Sequence, residues 1–314
     1  MNLQVKPYQN ANREQWEAFI ESSANGTFMH QRSFMEYHGD RFEDASVMVW
    51  EGESLVSVLP AHAEGDAVFS HNGLSFGGWI FKKGLTYDDY KSICKETITY
   101  FKESDFEKIA IRPIPHFYWE DLKAVILWNH VCLNFEPVES KDTYVIQLPT
   151  VPRSQVSKRW KIRKSHSKKF IVLESCNFKD FWDFLLIPLY RTKIGIEPVH
   201  NIDEILKLKS IYPDNIRLFV VSEGQDFLAG VVVFETGKVA KLQYIASSDK
   251  GKNLKALDYI MEHFIKEVYS HVKFLDLGTV HHPLTEEPLE GLILWKESWG
   301  GKAMPISKYD LKLR

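Results

Sequence analysis

Residues 47–60, VMVWEGESLVSVLP, and residues 218–235, LFVVSEGQDFLAGVVVFE, decide how this chain is read. Each is an apolar run, a Glu-Gly turn and a second apolar run. β-Branched residues fill both arms, and the glycine sits where a tight hairpin turn requires a positive φ. Each hairpin is followed by a long amphipathic stretch opening near an Asp-Tyr pair, Asp89-Tyr90 in one half and Asp258-Tyr259 in the other. Each then passes through a lysine into a short apolar strand, KIAIR at 108–112 and KFLDL at 273–277, and on into a proline-containing loop with histidine. This order, met twice at domain-sized spacing, predicts two copies of one α/β unit. Glu-Gly turns are common, so two unrelated α/β halves are the bland alternative.

Further elements follow from period and punctuation. Asn12 before REQWEAFIES predicts a capped helix from Arg13, and Arg32–His38 a second, short one. Ala67–Ser70 adds a strand, Gly73, Gly77 and Gly78 a loop with Phe76 and Trp79, and Asp88–Glu103 a helix. Pro149 and Pro152 mark a linker, dividing domain 1–150 from domain 151–314. Beyond it the pattern predicts a basic helix at Ser154–Lys169, a strand at Ile171–Glu174, and helices at Phe178–Thr192 and Asp203–Lys209. A strand at Val239–Ala246, a helix at Leu254–Tyr269 and a last strand in the tail Ala303–Leu313 complete the reading.

Composition bounds the function. The 314 residues carry 39 Lys+Arg against 42 Asp+Glu, a formal charge of -3, and are 44% hydrophobic. That usage excludes a disordered, collagenous or coiled-coil chain, and near-balanced charge argues against non-specific nucleic-acid binding. Apolar runs such as Phe227–Phe234 and Phe181–Leu189 fall well short of the roughly 20 residues a bilayer needs. MNLQVKPYQN has no apolar segment after its charge, so no signal peptide is expected, and the chain reads as cytoplasmic. Cys94, Cys132 and Cys176 are odd in number and far apart, which suits reduced thiols.

Three segments carry a family resemblance: YIASSDKGKNLKALDYIMEHFI at 244–265, KFLDLGTVHH at 273–282 and EGLILWKESWGG at 290–301. They resemble the second domain of the Fem-type (FemAB-like) peptidyltransferases and their acyltransferase relatives in sugar pathways. The resemblance is strongest from Arg159 to Gly301 and weak before Phe28. It implies a fold of two tandem GNAT-like domains, each with a mixed central sheet flanked by helices. It also implies N-acyl transfer from acyl-CoA or aminoacyl-tRNA to an amine. The acceptor would be a small molecule or a nucleotide-linked sugar in cell-envelope or surface polysaccharide synthesis. Two alternatives stay open: an aminoacyl-tRNA-dependent peptidyltransferase on a cell-wall precursor, with tRNA as partner, and a non-catalytic nucleotide-sugar binding protein of the same fold.

The candidate site follows in part from the resemblance and in part from the residues. By resemblance, Lys296 of the Trp295-Lys296 pair stabilises the charged transition state, where a fixed cation lowers the barrier to an oxyanion. An exposed lysine beside a core tryptophan is the competing reading. Asp276, at the end of its strand, is a candidate base for the acceptor amine, with His281 and His282 as alternatives; a structural carboxylate is an equally simple role. Gln243 and Tyr244 are expected along the donor channel. Tyr190 and Arg191 are expected at the acceptor pocket, though core packing also accounts for Tyr190. Arg159 and Arg163, one helical turn apart in the basic run, could clamp a phosphate, where a solvated helix face is the bland reading. Gly251 is what remains of the family's glycine-rich turn. Asn253 and Lys255 replace its later glycines and put coenzyme A binding in doubt. Adjacent His281 and His282 lack a suitably spaced third ligand, so no metal is expected.

Overall fold

The computed structural model describes residues 2–38, 41–70, 72–119, 135–149 and 170–314. The chain forms two compact units, Met1–Ser140 with Ile306–Arg314, and Lys141–Pro305. The first division thus falls ahead of Pro149, and the C-terminal tail joins the N-terminal unit. In chain order unit 1 contains β1 (Leu3–Pro7), β2 (Glu43–Asp44), β3 (Val47–Glu51), β4 (Ser54–Leu59), β5 (His62–Glu64), β6 (Ala67–Phe69), β7 (Ile80–Phe81) and β8 (Lys108–Ile111). β9 (Glu136–Gln147) carries the chain into unit 2, which contains β10 (Val172–Ser175), β11 (Ile216–Glu223), β12 (Asp226–Glu235), β13 (Val239–Ser247) and β14 (Phe274–Thr279). β15 (Lys302–Lys312) carries it back.

The two quoted stretches are the hairpins β3–β4 and β11–β12. In unit 2, β10, β11, β12 and β13 form an antiparallel meander. β14 then pairs parallel to β13, because a helical crossover lies between them. Unit 1 repeats the device: the helix Tyr87–Glu103 joins β6 to its parallel partner β8. Each unit then takes a further antiparallel strand from the other end of the chain. β9 pairs with β14, and the tail of β15 pairs with β8.

Unit 1 departs from its counterpart at Pro60. β12 runs unbroken over ten residues, whereas the matching arm stops at Leu59. Proline brings no N–H to the ladder, and the chain resumes as β5 in a different set of strands. Ser46 closes the gap: its hydroxyl accepts from Ala61 N at 3.0 Å, while Ala45 N donates to Ala61 O at 3.0 Å.

The unit 2 sheet is buried on both faces, and one core cluster lies on the face that the crossover covers. Ile260, Met261 and Phe264 from the crossover pack there on Val231, Ala240, Leu242 and Leu275, all at most 3% exposed. Burying each large apolar side chain contributes about 1.5–3 kcal/mol. The N-terminal helix covers Arg13–Ser22 and buries Trp16, Phe19 and Ile20, but Asn12 does not cap it, because a 3-10 turn at Asn10–Asn12 leads in. The helix expected at Leu254–Tyr269 starts at Ala256 and continues in helical turns to Val268. Asp249–Asn253 and Ala256–His263 are separate helices because Lys255 takes the left-handed conformation, φ +57°.

Candidate functional site

The site is built where β13 and β14 part. They are in register for three pairs only, ending at Lys241–Asp276. Immediately afterwards β13 bulges. Its register with β12 slips between Val232–Tyr244 and Val233–Leu242, leaving Gln243 as the extra residue. β14 meanwhile turns at Gly278, φ +77°, a conformation that favours glycine. Alternation puts Leu275 and Leu277 in the core, so Asp276 and its partner Lys241 lie on the opposite face of the sheet.

Lys296 reaches this point from the helix Glu290–Ser298 and is 1% exposed. Its Nζ donates to Gly278 O at 2.7 Å and Thr279 O at 2.8 Å, leaving one of three N–H groups for a ligand. Burial lowers its pKa to about 7; Asp276 opposes that shift and Lys241 adds to it. Asp276 is 2% exposed, and its Oδ1 accepts from Thr143 Oγ1 at 2.7 Å and Gly278 N at 3.0 Å. The carboxylate therefore pins the turn whose carbonyls hold Lys296. Lys241 also has a pKa lowered by burial, with Asp276 pulling the other way. Two lysines share one carboxylate, so the cluster is net positive when both are protonated.

Trp295 faces away from this cluster. Its Nε1 donates to Asp258 Oδ1 at 3.0 Å, and Trp299 Nε1 donates to the same oxygen at 3.4 Å. Asp258 is buried, so the two indoles fasten the lysine-bearing helix to the crossover helix. The Trp-Lys pair is a core anchor followed by a site cation.

The other expected residues fall into three groups. Gln243 sits at the bulge, with Oε1 buried and without a hydrogen-bond partner. Tyr244 is buried three positions past the last β13–β14 pair, on the strand's new phase; its hydroxyl accepts from His200 N at 3.1 Å and lies 2.5 Å from His200 Nδ1. Half-buried Tyr190 meets Tyr244 edge-on at 6.5 Å. His281 lies in the loop after Thr279, its Nδ1 3.3 Å from Thr279 Oγ1. Arg191 is 67% exposed and paired with Glu197 at 2.8 Å, which makes it a surface ion pair. Gly251 is explained by packing: a Cβ there would stand 1.9 Å from Leu228 O, and its N–H already donates to Ser248 Oγ at 3.0 Å. Arg159 and Arg163 lie outside the described residues, as does the whole of the basic run.

Sequence reasoning missed Lys241, Thr143 and His200. Lys241 had a readable signal, a lone lysine in the apolar strand VAKLQY. Thr143 had none, since nothing local says that β9 pairs with β14. Among the described residues no three His, Cys, Asp or Glu side chains form a metal-holding group, and no helix is long and apolar enough to cross a membrane.

Solved structures with the same architecture are similar over nearly the whole chain. FemX superposes with a TM-score of 0.67 at 13% identity, over 98% of this chain and 97% of that one. The chain has the Fem-type tandem GNAT-like fold. L-PGS from Bacillus licheniformis matches with a TM-score of 0.58 at 11% identity, over 96% of this chain and 92% of its own. A tandem GNAT protein from the clavulanic acid biosynthesis pathway matches at 0.50 and 9% identity, over 100% and 99%. No protein-family model and no curated protein matches the sequence. The parted strands with their buried lysine lie in the second GNAT-like unit of that fold.

Proposed function

We propose that this protein is a cytoplasmic N-acyltransferase that moves an acyl or aminoacyl group onto the amine of a sugar- or nucleotide-linked acceptor, in cell-envelope or surface polysaccharide synthesis. Unit 2 is its catalytic unit. The observation that carries this reading is Lys296, buried, clamped by two carbonyls and lowered to about pKa 7 at the mouth of the strand separation. As the neutral amine attacks the acyl carbon, a C–N bond forms and the carbonyl oxygen becomes anionic. The third N–H of Lys296 stabilises that oxygen. When the C–S or C–O bond to the donor breaks, a pKa near neutrality suits the ammonium to pass a proton to the leaving group, and the neutral lysine then takes the proton that the attacking nitrogen releases. Asp276 acts as a positioning residue, because its hydrogen bonds hold the Gly278 turn and its charge keeps Lys296 protonated. Gln243, Tyr244 and Tyr190 line the same face, where Gln243 Oε1 would accept from a donor or acceptor N–H.

One observation favours the second reading, an aminoacyl-tRNA-dependent peptidyltransferase. Gly251 packs against β12 with its N–H occupied, and Lys255 breaks the helix behind it. A coenzyme A pyrophosphate would lack the open amides it needs there. Transfer assays with acyl-CoA and with aminoacyl-tRNA donors separate the two readings. In whichever supports turnover, Lys296→Ala is expected to lower kcat by about 10²–10³-fold, the cost of one oxyanion donor. An unchanged rate would remove the assigned role. Stabilisation by nucleotide-sugars with no turnover on either donor would favour the binding-protein alternative.

A further inference from the structure

Unit 1 holds a cavity of about 300 Å³ at the position equivalent to the unit 2 site. β6 and β8 are its parallel pair, and their register ends at Phe69–Ala110, as that of β13 and β14 ends at Lys241–Asp276. Arg112 lies two residues beyond Ala110 and lines the cavity. In open α/β sheets ligands gather at the carboxyl ends of such strands.

The charge balance inside the cavity is uneven. Three cations line it. Lys108 is paired with Asp310 at 3.2 Å and Lys308 with Glu139 at 2.6 Å. Among the described residues Arg112 has no ion pair; its guanidinium donates only to Ser75 O, at 3.4 Å. Its backbone is nevertheless fixed, with the N–H on Ser70 Oγ at 3.0 Å and the carbonyl receiving Gly77 N at 2.7 Å. A half-buried guanidinium on a locked backbone, with its planar fork unfilled, suits a bidentate oxyanion. Leu74 and Ile111, both buried, give the cavity an apolar floor, and Val138 an apolar rim. Its volume corresponds to roughly ten water molecules' share of liquid, room for a compact ligand of about that many heavy atoms.

We infer that this cavity is a second ligand site, which binds a small molecule bearing a carboxylate or phosphate on a compact apolar body, with Arg112 engaging the oxyanion. The site is built from unit 1 alone. Its occupancy is read by binding, so it stands or falls apart from the catalytic role of Lys296.

Titration calorimetry on the full chain tests it, with benzoate, phenyl phosphate and the neutral analogue benzamide as probes. At least one anion is expected to bind more tightly than benzamide, and the stronger of the two identifies carboxylate or phosphate as the natural group. Arg112→Met is expected to weaken that anion by about tenfold or more, the loss of one charge-assisted pair, and to leave benzamide unaffected. Arg112→Lys keeps the charge but not the fork and is expected to weaken it as well, which covers misfolding of the methionine variant. Lys179→Met, at an exposed surface pair, should bind as wild type. Equal binding of anions and benzamide by wild type, or an Arg112→Met protein that folds and binds the anion unchanged, would overturn the assignment.

Discussion

At the scale of single residues, Lys296 joins two properties that oppose each other, a charge and near-complete burial. A charge taken from water costs several kcal/mol unless paired, and here two carbonyls and Asp276 offset only part of it. The stability of the protein should record this. The folded pKa of about 7 lies below the ordinary lysine value of 10.5, so between those two the unfolded chain holds more protons. Stability therefore rises with pH across that window, by at most about 1.4 kcal/mol per pH unit. Urea unfolding at about pH 7.5 and about pH 9.5 should show the gap between wild type and Lys296→Met widening in favour of wild type, by on the order of 2 kcal/mol. Equal gaps would mean that the lysine is an ordinary one. The Trp-Lys motif was legible in the sequence; the burial of its lysine was not. Lysine almost always reaches water, and only the tertiary placement of Gly278 and Thr279 gives this one somewhere else to point.

At the scale of elements, the hairpins and the body of the crossover helix were easy to read, and the helix start was not. Glu223-Gly224 and Glu51-Gly52 announce turns through the positive φ their glycines supply, +64° and +59°. The break at Lys255 announces itself by nothing, because lysine is a good helix former and pays a penalty for the left-handed conformation it takes. It occupies a position where the resembling family has glycine. Lys255→Gly should relieve the strain and raise stability by up to about 1 kcal/mol, read as a higher denaturant midpoint at unchanged m-value. A destabilised Lys255→Gly protein would mean that the side chain makes a compensating contact. The bulge at Gln243 was equally silent, since one extra residue in a nine-residue strand leaves the alternation locally ambiguous.

At the scale of the whole molecule, the duplicated α/β pattern was visible in the sequence and the exchange of strands was not. β9 and β15 are alternating segments that could pair with any free edge, and their partners lie far away in sequence. Residues 309–312 pair with β8, and Leu313 N donates to Glu107 O at 2.8 Å, so unit 1 is completed by the last residues of the chain. Deleting residues 306–314 should raise amide exchange in β8 while β11 and β12 stay protected, because their core is built from unit 2. Equal loss of protection in both would contradict two separate cores. Pro60 adds a further asymmetry, since it splits the unit 1 arm that unit 2 keeps whole, and the buried ammonium belongs to the unit with the unbroken strand. The proposed acyl transfer requires that ammonium to titrate near neutrality. Heteronuclear NMR of selectively labelled lysines, followed through a pH titration and assigned with Lys296→Met, measures it without any substrate: a resonance missing from the variant and titrating at about 7 is the expected result, and one titrating above about 10, like a lysine in water, would contradict the account.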